Sequence, residues 1–139
     1  MPSYRILIVE DQREVSRLLH SALDTLEYKL EIVEIPSGEE AILDSSRNAI
    51  DLLVSDYRLP GITGIELMRK VRSYRPKVKV ILITGQTDPK IRLQVAEAGA
   101  DAFFAKPVAP ERLILVIEEK LREQQKGNDV LNRNKLSLM

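Results

Sequence analysis

The sequence predicts an α/β fold in which a five-stranded parallel sheet carries helices on both faces. Five short apolar runs alternate along the chain with longer segments whose apolar residues recur every three or four positions. Neighbouring parallel strands require crossover connections, and helices usually supply them, so this alternation indicates a sheet with right-handed crossovers. The 139 residues suffice for one domain with a buried core.

Three of the five runs are nearly continuous in Ile, Leu and Val, as is typical of central parallel strands covered on both faces. They span residues 4–9, 51–55 and 78–83. The run at 30–35 alternates polar and apolar residues, which predicts an edge strand. The run at 102–105 is the predicted fifth strand.

Helix signals lie between these runs. Two segments begin with a capping box, in which a serine or threonine precedes a glutamate by three positions. These pairs are Ser37 with Glu40 and Thr63 with Glu66. Asp88 and Pro89 are a cap followed by a proline at the first helical position. The first helix is expected to bury one apolar face between Val15 and Leu26, with Leu18 on that face.

The last helix begins near Pro110, and Gly127 with Asn128 predicts its end. We therefore expect one domain over residues 1–125 and a C-terminal tail or linker over residues 126–139. The tail is polar with scattered leucines, which is also compatible with the first turns of a helix leading into a further segment.

Composition excludes several functions. The chain has no cysteine, so disulfides and thiol catalysis are excluded. Its 21 basic and 21 acidic residues balance, which gives no reason to expect direct binding of nucleic acid or an anionic membrane. Neither a secretory signal nor a membrane-spanning stretch is evident. We expect a cytoplasmic protein.

Polar residues follow four of the predicted strands. Glu10 and Asp11 follow the first strand, Asp56 the third, Thr84 the fourth and Lys106 the fifth. Because the carboxyl ends of parallel strands meet at one edge of the sheet, these side chains should share a pocket. Crowded carboxylates repel one another, and a hard divalent cation with oxygen ligands offsets that repulsion.

This pattern resembles the receiver domains of two-component response regulators, over roughly residues 4–125. The matching residues are Glu10, Asp11, Asp56, Pro60, Gly61, Thr84, Lys106 and Pro107. The resemblance implies the flavodoxin-like strand order 2-1-3-4-5 and a phosphorylation-dependent switch rather than an enzyme. Asp56 would accept a phosphoryl group from a sensor histidine kinase or a phosphotransfer protein. Lys106 and Thr84 would contact the phosphoryl oxygens.

By the same resemblance the site binds Mg²⁺, with Mn²⁺ as an alternative. Asp11, Asp56 and the backbone carbonyl of Arg58 would ligate the metal, and Glu10 would act mainly through water. Arg58 and Gln86 would flank the phosphate entrance and tune how long the phosphoryl group lasts. The peptide bond before Pro107 is expected to be cis.

The resemblance also implies a switch pair, Thr84 and Phe103. Phosphorylation would draw the Thr84 hydroxyl inward, and the aromatic ring of Phe103 would follow. The face formed by the fourth helix, the fifth strand and the last helix would change and control an output partner, an output domain or a homodimer. Phe103 lacks the hydroxyl of the tyrosine often found at this position.

Two other functions are compatible with parts of the pattern. Haloacid-dehalogenase-like phosphatases also use an aspartate nucleophile with magnesium, but they carry a second aspartate two residues later, where this chain has Arg58. A receiver-like interaction module that is never phosphorylated is the other alternative. The complete set of acids, threonine and lysine favours the phosphorylated switch.

Overall fold

A computed structural model describes residues 3–85 and 89–138, with side chains described to residue 125. Its strands are β1 (Ser3–Val9), β2 (Lys29–Ile35), β3 (Leu52–Asp56), β4 (Arg58–Leu59), β5 (Ile62–Thr63), β6 (Lys79–Thr84) and β7 (Ala102–Ala105). The five longer strands form one parallel sheet in the order β2-β1-β3-β6-β7, and β4 pairs antiparallel with β5. Without the two short strands, this is the expected order 2-1-3-4-5, which is confirmed. β2 lies at the edge, as its alternating pattern predicts.

Five helices connect and cover these strands. They are α1 (Arg13–Leu23), α2 (Gly38–Arg47), α3 (Gly64–Tyr74), α4 (Pro89–Glu97) and α5 (Pro110–Leu138). The core on one face of the sheet includes residues of α1 and α5, and the core on the other face includes residues of α2, α3 and α4. Within the described ranges, no helix combines the length and the apolarity that crossing a membrane requires.

The central strands are buried on both faces, as their continuous apolar sequences predict. In β1, Leu7 and Val9 pack into one core while Ile6 and Ile8 pack into the other. All four are at most 1% exposed. Burying each such side chain stabilises the fold by about 1.5–3 kcal/mol. The strands that carry the polar residues at their ends are therefore held in place by the core.

Both capping signals are confirmed. The Ser37 hydroxyl accepts a hydrogen bond from the Glu40 backbone N–H at 3.3 Å, and the Thr63 hydroxyl accepts one from the Glu66 N–H at 3.2 Å. Helix α4 begins at Pro89, as expected. Its predicted cap, Asp88, lies outside the described residues.

Two expectations about helices are wrong. Helix α5 does not end at Gly127 and Asn128 but continues to Leu138. A single glycine costs a helix only about 1 kcal/mol relative to alanine, which does not stop propagation. The assignment of residues 126–139 as a tail or linker outside the domain stays a prediction.

The second wrong expectation concerns Leu18, which is 59% exposed. Leu19 and Leu23 are buried against the sheet. Leu18 precedes Leu19 by one residue and is therefore rotated by about 100° from it around the helix axis.

A buried serine joins α1 to the edge strand. The Ser16 hydroxyl donates to Glu34 Oε1 at 2.7 Å, and His20 Nδ1 lies 3.1 Å from Glu34 Oε2. The Ser16 hydrogen bond, reinforced by His20 and opposed by partial burial, lowers the pKa of Glu34. Because this pKa is lower in the folded state than in the unfolded chain, ionised Glu34 stabilises the fold above its unfolded pKa. That stabilisation is lost as the pH falls through the folded pKa.

We predict that Ser16→Ala lowers the free energy of unfolding by about 1 kcal/mol at about pH 7, and by less at about pH 3.5. Urea melts at the two pH values measure the difference. Ser46→Ala is the matched control, because the Ser46 hydroxyl bonds only locally, to the Leu43 carbonyl at 2.7 Å. An equal loss of stability for Ser16→Ala at both pH values would contradict the prediction.

Candidate functional site

The carboxyl ends of four strands bring the predicted polar residues to one edge of the sheet. Glu10 follows β1, Asp56 ends β3, Thr84 ends β6 and Lys106 follows β7. The Lys106 backbone N–H donates to the Thr84 carbonyl at 2.7 Å. The positions of these side chains are therefore set by the parallel ladder itself.

Three carboxylates gather at this edge. One oxygen from each of Glu10, Asp11 and Asp56 lies within 4.8 Å of the other two. Glu10 is 5% exposed, and its Oε1 accepts a hydrogen bond from the Gln12 backbone N–H at 3.2 Å. Burial raises the pKa of Glu10, and the negative charge of Asp56 adds to that effect, against the N–H of Gln12 and the ammonium of Lys106.

Lys106 faces two of the acids. Its Nζ lies 3.1 Å from Asp56 Oδ2 and 3.4 Å from Glu10 Oε2. Burial by itself lowers the pKa of the Lys106 ammonium, but the hydrogen bond and charge of Asp56, together with Glu10, outweigh burial and leave the pKa raised. The ammonium is thus kept charged beside Asp56. The Lys106–Pro107 peptide bond is cis, as expected.

The acidic pocket fits a divalent metal. Within the described residues, these three carboxylates are the one group of this kind with converging ligand atoms. The pocket holds three carboxylates, and the Lys106 ammonium pairs with two of them, so a hard dication with oxygen ligands complements the remaining negative charge. The donors are all oxygens, which suits Mg²⁺ better than a softer transition metal.

The segment after Asp56 is fixed by two short backbone hydrogen bonds and a glycine. Tyr57 N–H donates to the Ile83 carbonyl, and Gly64 N–H donates to the Tyr57 carbonyl, both at 2.6 Å. A Cβ atom on Gly64 would lie 2.9 Å from the Asp56 carbonyl oxygen and 3.0 Å from Tyr57 Cα. The first helical residue of α3 therefore has to be a glycine for the Asp56 backbone to lie where it does.

Sequence reasoning did not single out Gly64. The sequence does contain one signal for its role: a glycine directly follows the capping residue Thr63, at a helical position where other residues are more favourable. By contrast, Gly61 is among the residues that match the receiver pattern, and its φ of 75° lies in the left-handed region that glycine adopts readily.

Of the two predicted rate-tuning positions, the structure describes Arg58. Arg58 lies on β4 with its residue exposed, two positions after Asp56. Its backbone carbonyl as a metal ligand stays a prediction. Gln86 lies outside the described residues.

The predicted switch residues share one face of the sheet. Thr84 pairs with Ala105, and Leu82 pairs with Phe103, so side chains at 84 and 103 project to the same side. Thr84 is 1% exposed, and half-buried Phe103 packs against the core that contains Ile91 and Val95 of α4. Sequence analysis did not anticipate that the Arg92 guanidinium carbon lies 5.9 Å from the centroid of the Phe103 ring.

The fold and the pocket together define a class of protein, namely an α/β domain of the flavodoxin-like strand order with acids and a facing lysine at the carboxyl edge. The family model described as "Response regulator receiver domain" matches residues 6–118. The chain belongs to this family, whose general function in two-component systems is switching by phosphorylation.

Individual comparisons agree with this assignment. The chain is 32% identical over 118 residues to the transcriptional regulatory protein ResD of Bacillus subtilis, covering 85% of this chain and 48% of ResD. It is 31% identical to the cyclic di-GMP phosphodiesterase response regulator RpfG of Xanthomonas campestris, covering 92% of this chain and 34% of RpfG. A receiver domain structure from Methanospirillum hungatei matches with a TM-score of 0.80 and 33% identity, covering 91% of this chain and 99% of that one.

The curated relatives are longer than this chain. The chain spans 48% of ResD, 34% of RpfG and 27% of the C4-dicarboxylate transport regulator DctD of Rhizobium meliloti. It therefore corresponds to one part of those proteins.

Proposed function

We propose that Asp56 is the phosphoacceptor of this receiver domain and that its phosphorylation, assisted by Mg²⁺, switches the face formed by α4, β7 and α5. The phosphoryl donor is a phosphohistidine on a sensor histidine kinase or on a phosphotransfer protein. The single observation that carries the proposal is the contact of 3.1 Å between Lys106 Nζ and Asp56 Oδ2.

The chemistry is a displacement at phosphorus. A carboxylate oxygen of Asp56 forms a bond to the phosphorus, and the bond from phosphorus to the donor imidazole nitrogen breaks. The electron pair of that bond stays on the imidazole, and Asp56 becomes an acyl phosphate. Charge on the phosphoryl oxygens is stabilised by the ammonium of Lys106, which already lies beside the acceptor oxygen, and by the Thr84 hydroxyl.

The metal belongs to the same pocket. Asp11 and Asp56 would hold it with the Arg58 backbone carbonyl, and buried Glu10 would act mainly through water. A bound Mg²⁺, or Mn²⁺ as an alternative, supplies positive charge to the transferring phosphoryl group. The chain's own acids provide the ligands and orient the acceptor.

A groove beside the pocket supports docking of the donor protein. It has a volume of about 430 Å³ between α1 and the start of α5, and exposed Leu18 contributes to its apolar wall. Its other lining residues are Val15, Leu19, Ile83, Gly85, Lys106, Pro107, Val108 and Pro110. Because Lys106 belongs to both the groove and the phosphoacceptor pocket, a protein seated in the groove can present its histidine to Asp56.

The output face carries apolar residues that a partner can bury. Leu93 of α4 is 59% exposed and Leu115 of α5 is 64% exposed. Exposed leucines on the elements next to Phe103 suit an output partner, an output domain or a second copy of this chain. We propose that this segment acts in the cytoplasm and does not itself bind nucleic acid or membrane.

The direct experiment is intact-mass spectrometry after incubation with phosphoramidate and Mg²⁺. We expect one added phosphoryl group on the parent chain and none on Asp56→Asn, which keeps the shape of the side chain but is a far weaker nucleophile. Asp51→Asn is a matched control, since Asp51 lies at the other end of β3, away from the pocket. Its carboxylate accepts a hydrogen bond from the Arg5 backbone N–H at 2.8 Å. Full labelling of Asp56→Asn would overturn the proposal, and an unlabelled parent would favour the interaction module.

Arg58 is proposed to prolong the phosphorylated state. Its long side chain is exposed two residues from Asp56, where it can screen the acyl phosphate from water. We predict that Arg58→Ala loses phosphate several-fold faster than the parent, measured by the decay of the phosphorylated mass after the donor is removed. Arg69→Ala, at an exposed position of α3, controls for the change in net charge. Equal decay rates for Arg58→Ala and the parent would show that Arg58 has no such role.

A further inference from the structure

The contact between Arg92 and Phe103 joins an exposed residue of α4 to a half-buried aromatic of β7. The guanidinium carbon of Arg92 lies 5.9 Å from the ring centroid, within the range of a cation–π interaction. Phe104, the next residue, packs into the opposite core with residues of α1 and α5. Of the two adjacent phenylalanines, Arg92 therefore contacts Phe103, which lies on the same face of the sheet as Thr84.

We infer that Arg92 is a positioning residue of the switch: its guanidinium holds the Phe103 ring in the resting position and opposes the rearrangement that follows phosphorylation. The inference rests on the proposed function, because it assigns a restraint to the movement of Phe103. The contact is made from outside the phosphoacceptor pocket, so Arg92 acts through Phe103 and not on the phosphoryl group.

The strand register places Phe103 close to Thr84, the residue toward which its ring would move after phosphorylation. Phe103 pairs with Leu82 and Ala105 pairs with Thr84, so Phe103 and Thr84 are diagonal neighbours on one face of the sheet. Adjacent strands lie about 4.8 Å apart and rise about 3.3 Å per residue, so such diagonal neighbours have Cα atoms about 8 Å apart. Ala105, which pairs with Thr84 and is the next residue after Phe103 on that face of β7, carries only a methyl group.

A contact that exists in one state alone stabilises that state by its full value. A cation–π pair at an exposed site shifts an equilibrium by about two- to five-fold. Since coupling between the site and the switch is reciprocal, loss of the Arg92 contact should strengthen binding of a phosphoryl analogue at Asp56 by the same factor.

The test measures the affinity of the intact chain for beryllofluoride, a phosphoryl analogue. The analogue is titrated in the presence of Mg²⁺, and binding is followed by NMR. We expect Arg92→Met, which keeps the length of the side chain without its charge, to bind about two- to five-fold more tightly than the parent. Arg92→Lys keeps a cation for the ring and should stay close to the parent. In a Phe103→Leu background, which has no aromatic face, Arg92→Met should have no further effect.

Arg69→Met, at an exposed position of α3, removes the same charge away from the switch and should not tighten binding. If the parent binds beryllofluoride and Arg92→Met binds equally or more weakly, the inference is overturned while the proposed function stands. Equal tightening in the Phe103→Leu background also overturns it, because the effect then does not pass through the ring. A parent that binds no beryllofluoride removes the proposed function and the inference with it.

Discussion

Lys106→Met is expected to slow phosphorylation of Asp56 by phosphoramidate about 100- to 1,000-fold. The ammonium lies 3.1 Å from the acceptor oxygen in a largely buried pocket, where the Asp56 side chain is 11% exposed. Loss of one group that stabilises developing charge in such a pocket typically costs two to three orders of magnitude in rate, or roughly 3–4 kcal/mol. The rate of mass increase under saturating Mg²⁺ measures the effect.

Two variants separate this role of Lys106 from a general effect of charge. Lys70→Met removes an exposed lysine of α3 and should phosphorylate at the parental rate. Lys106→Arg keeps the positive charge and should recover part of the lost rate. A Lys106→Met chain that is phosphorylated within three-fold of the parental rate, on the order of 0.6 kcal/mol, would rule out a direct contact of Lys106 with the phosphoryl group.

Gly64→Ala is expected to destabilise the fold by about 1–3 kcal/mol, although alanine normally favours a helix over glycine by about 1 kcal/mol. The added Cβ would lie 2.9 Å from the Asp56 carbonyl oxygen and 3.0 Å from Tyr57 Cα. Both contacts are with backbone, so neither can be relieved by rotating a side chain. Relief of these contacts requires the backbone to shift, and this shift should move Asp56 and slow its phosphorylation. Urea melts and the labelling rate measure the two effects.

Gly85→Ala is the matched control for stability, because a Cβ atom there would meet no atom within 4 Å. It should unfold at the parental urea concentration or slightly above it. If Gly64→Ala is as stable as Gly85→Ala, the close approach of α3 to the Asp56 backbone does not constrain the site.

The sheet could be predicted because strand burial is visible in the sequence. The run 78–83 is apolar at all positions but Lys79, a pattern typical of strands covered on both faces. The residues of the pocket could also be predicted, since each of Glu10, Asp56, Thr84 and Lys106 follows or ends such a run. The parallel ladder then brings them together without any further information.

Other features could not be read from the chain because they depend on contacts between distant segments. Arg92 meets Phe103 across the boundary between α4 and β7, and no spacing in the sequence encodes that approach. The exposure of Leu18 follows from the exact rotation of α1 on the sheet, which an apolar pattern gives only approximately. The extension of α5 past Gly127 depends on helix propagation outweighing a weak local stop signal.

The central claim is that Asp56, among the three acids of the pocket, carries the phosphoryl group. Borohydride reduces an acyl phosphate to an alcohol and so converts a phosphorylated aspartate to homoserine. We predict that peptide mass spectrometry of the parent chain, treated with phosphoramidate and Mg²⁺ and then with borohydride, finds homoserine at position 56 and at neither Asp11 nor any other aspartate. Homoserine at Asp11, or a phosphoryl group on His20 in place of Asp56, would contradict the account.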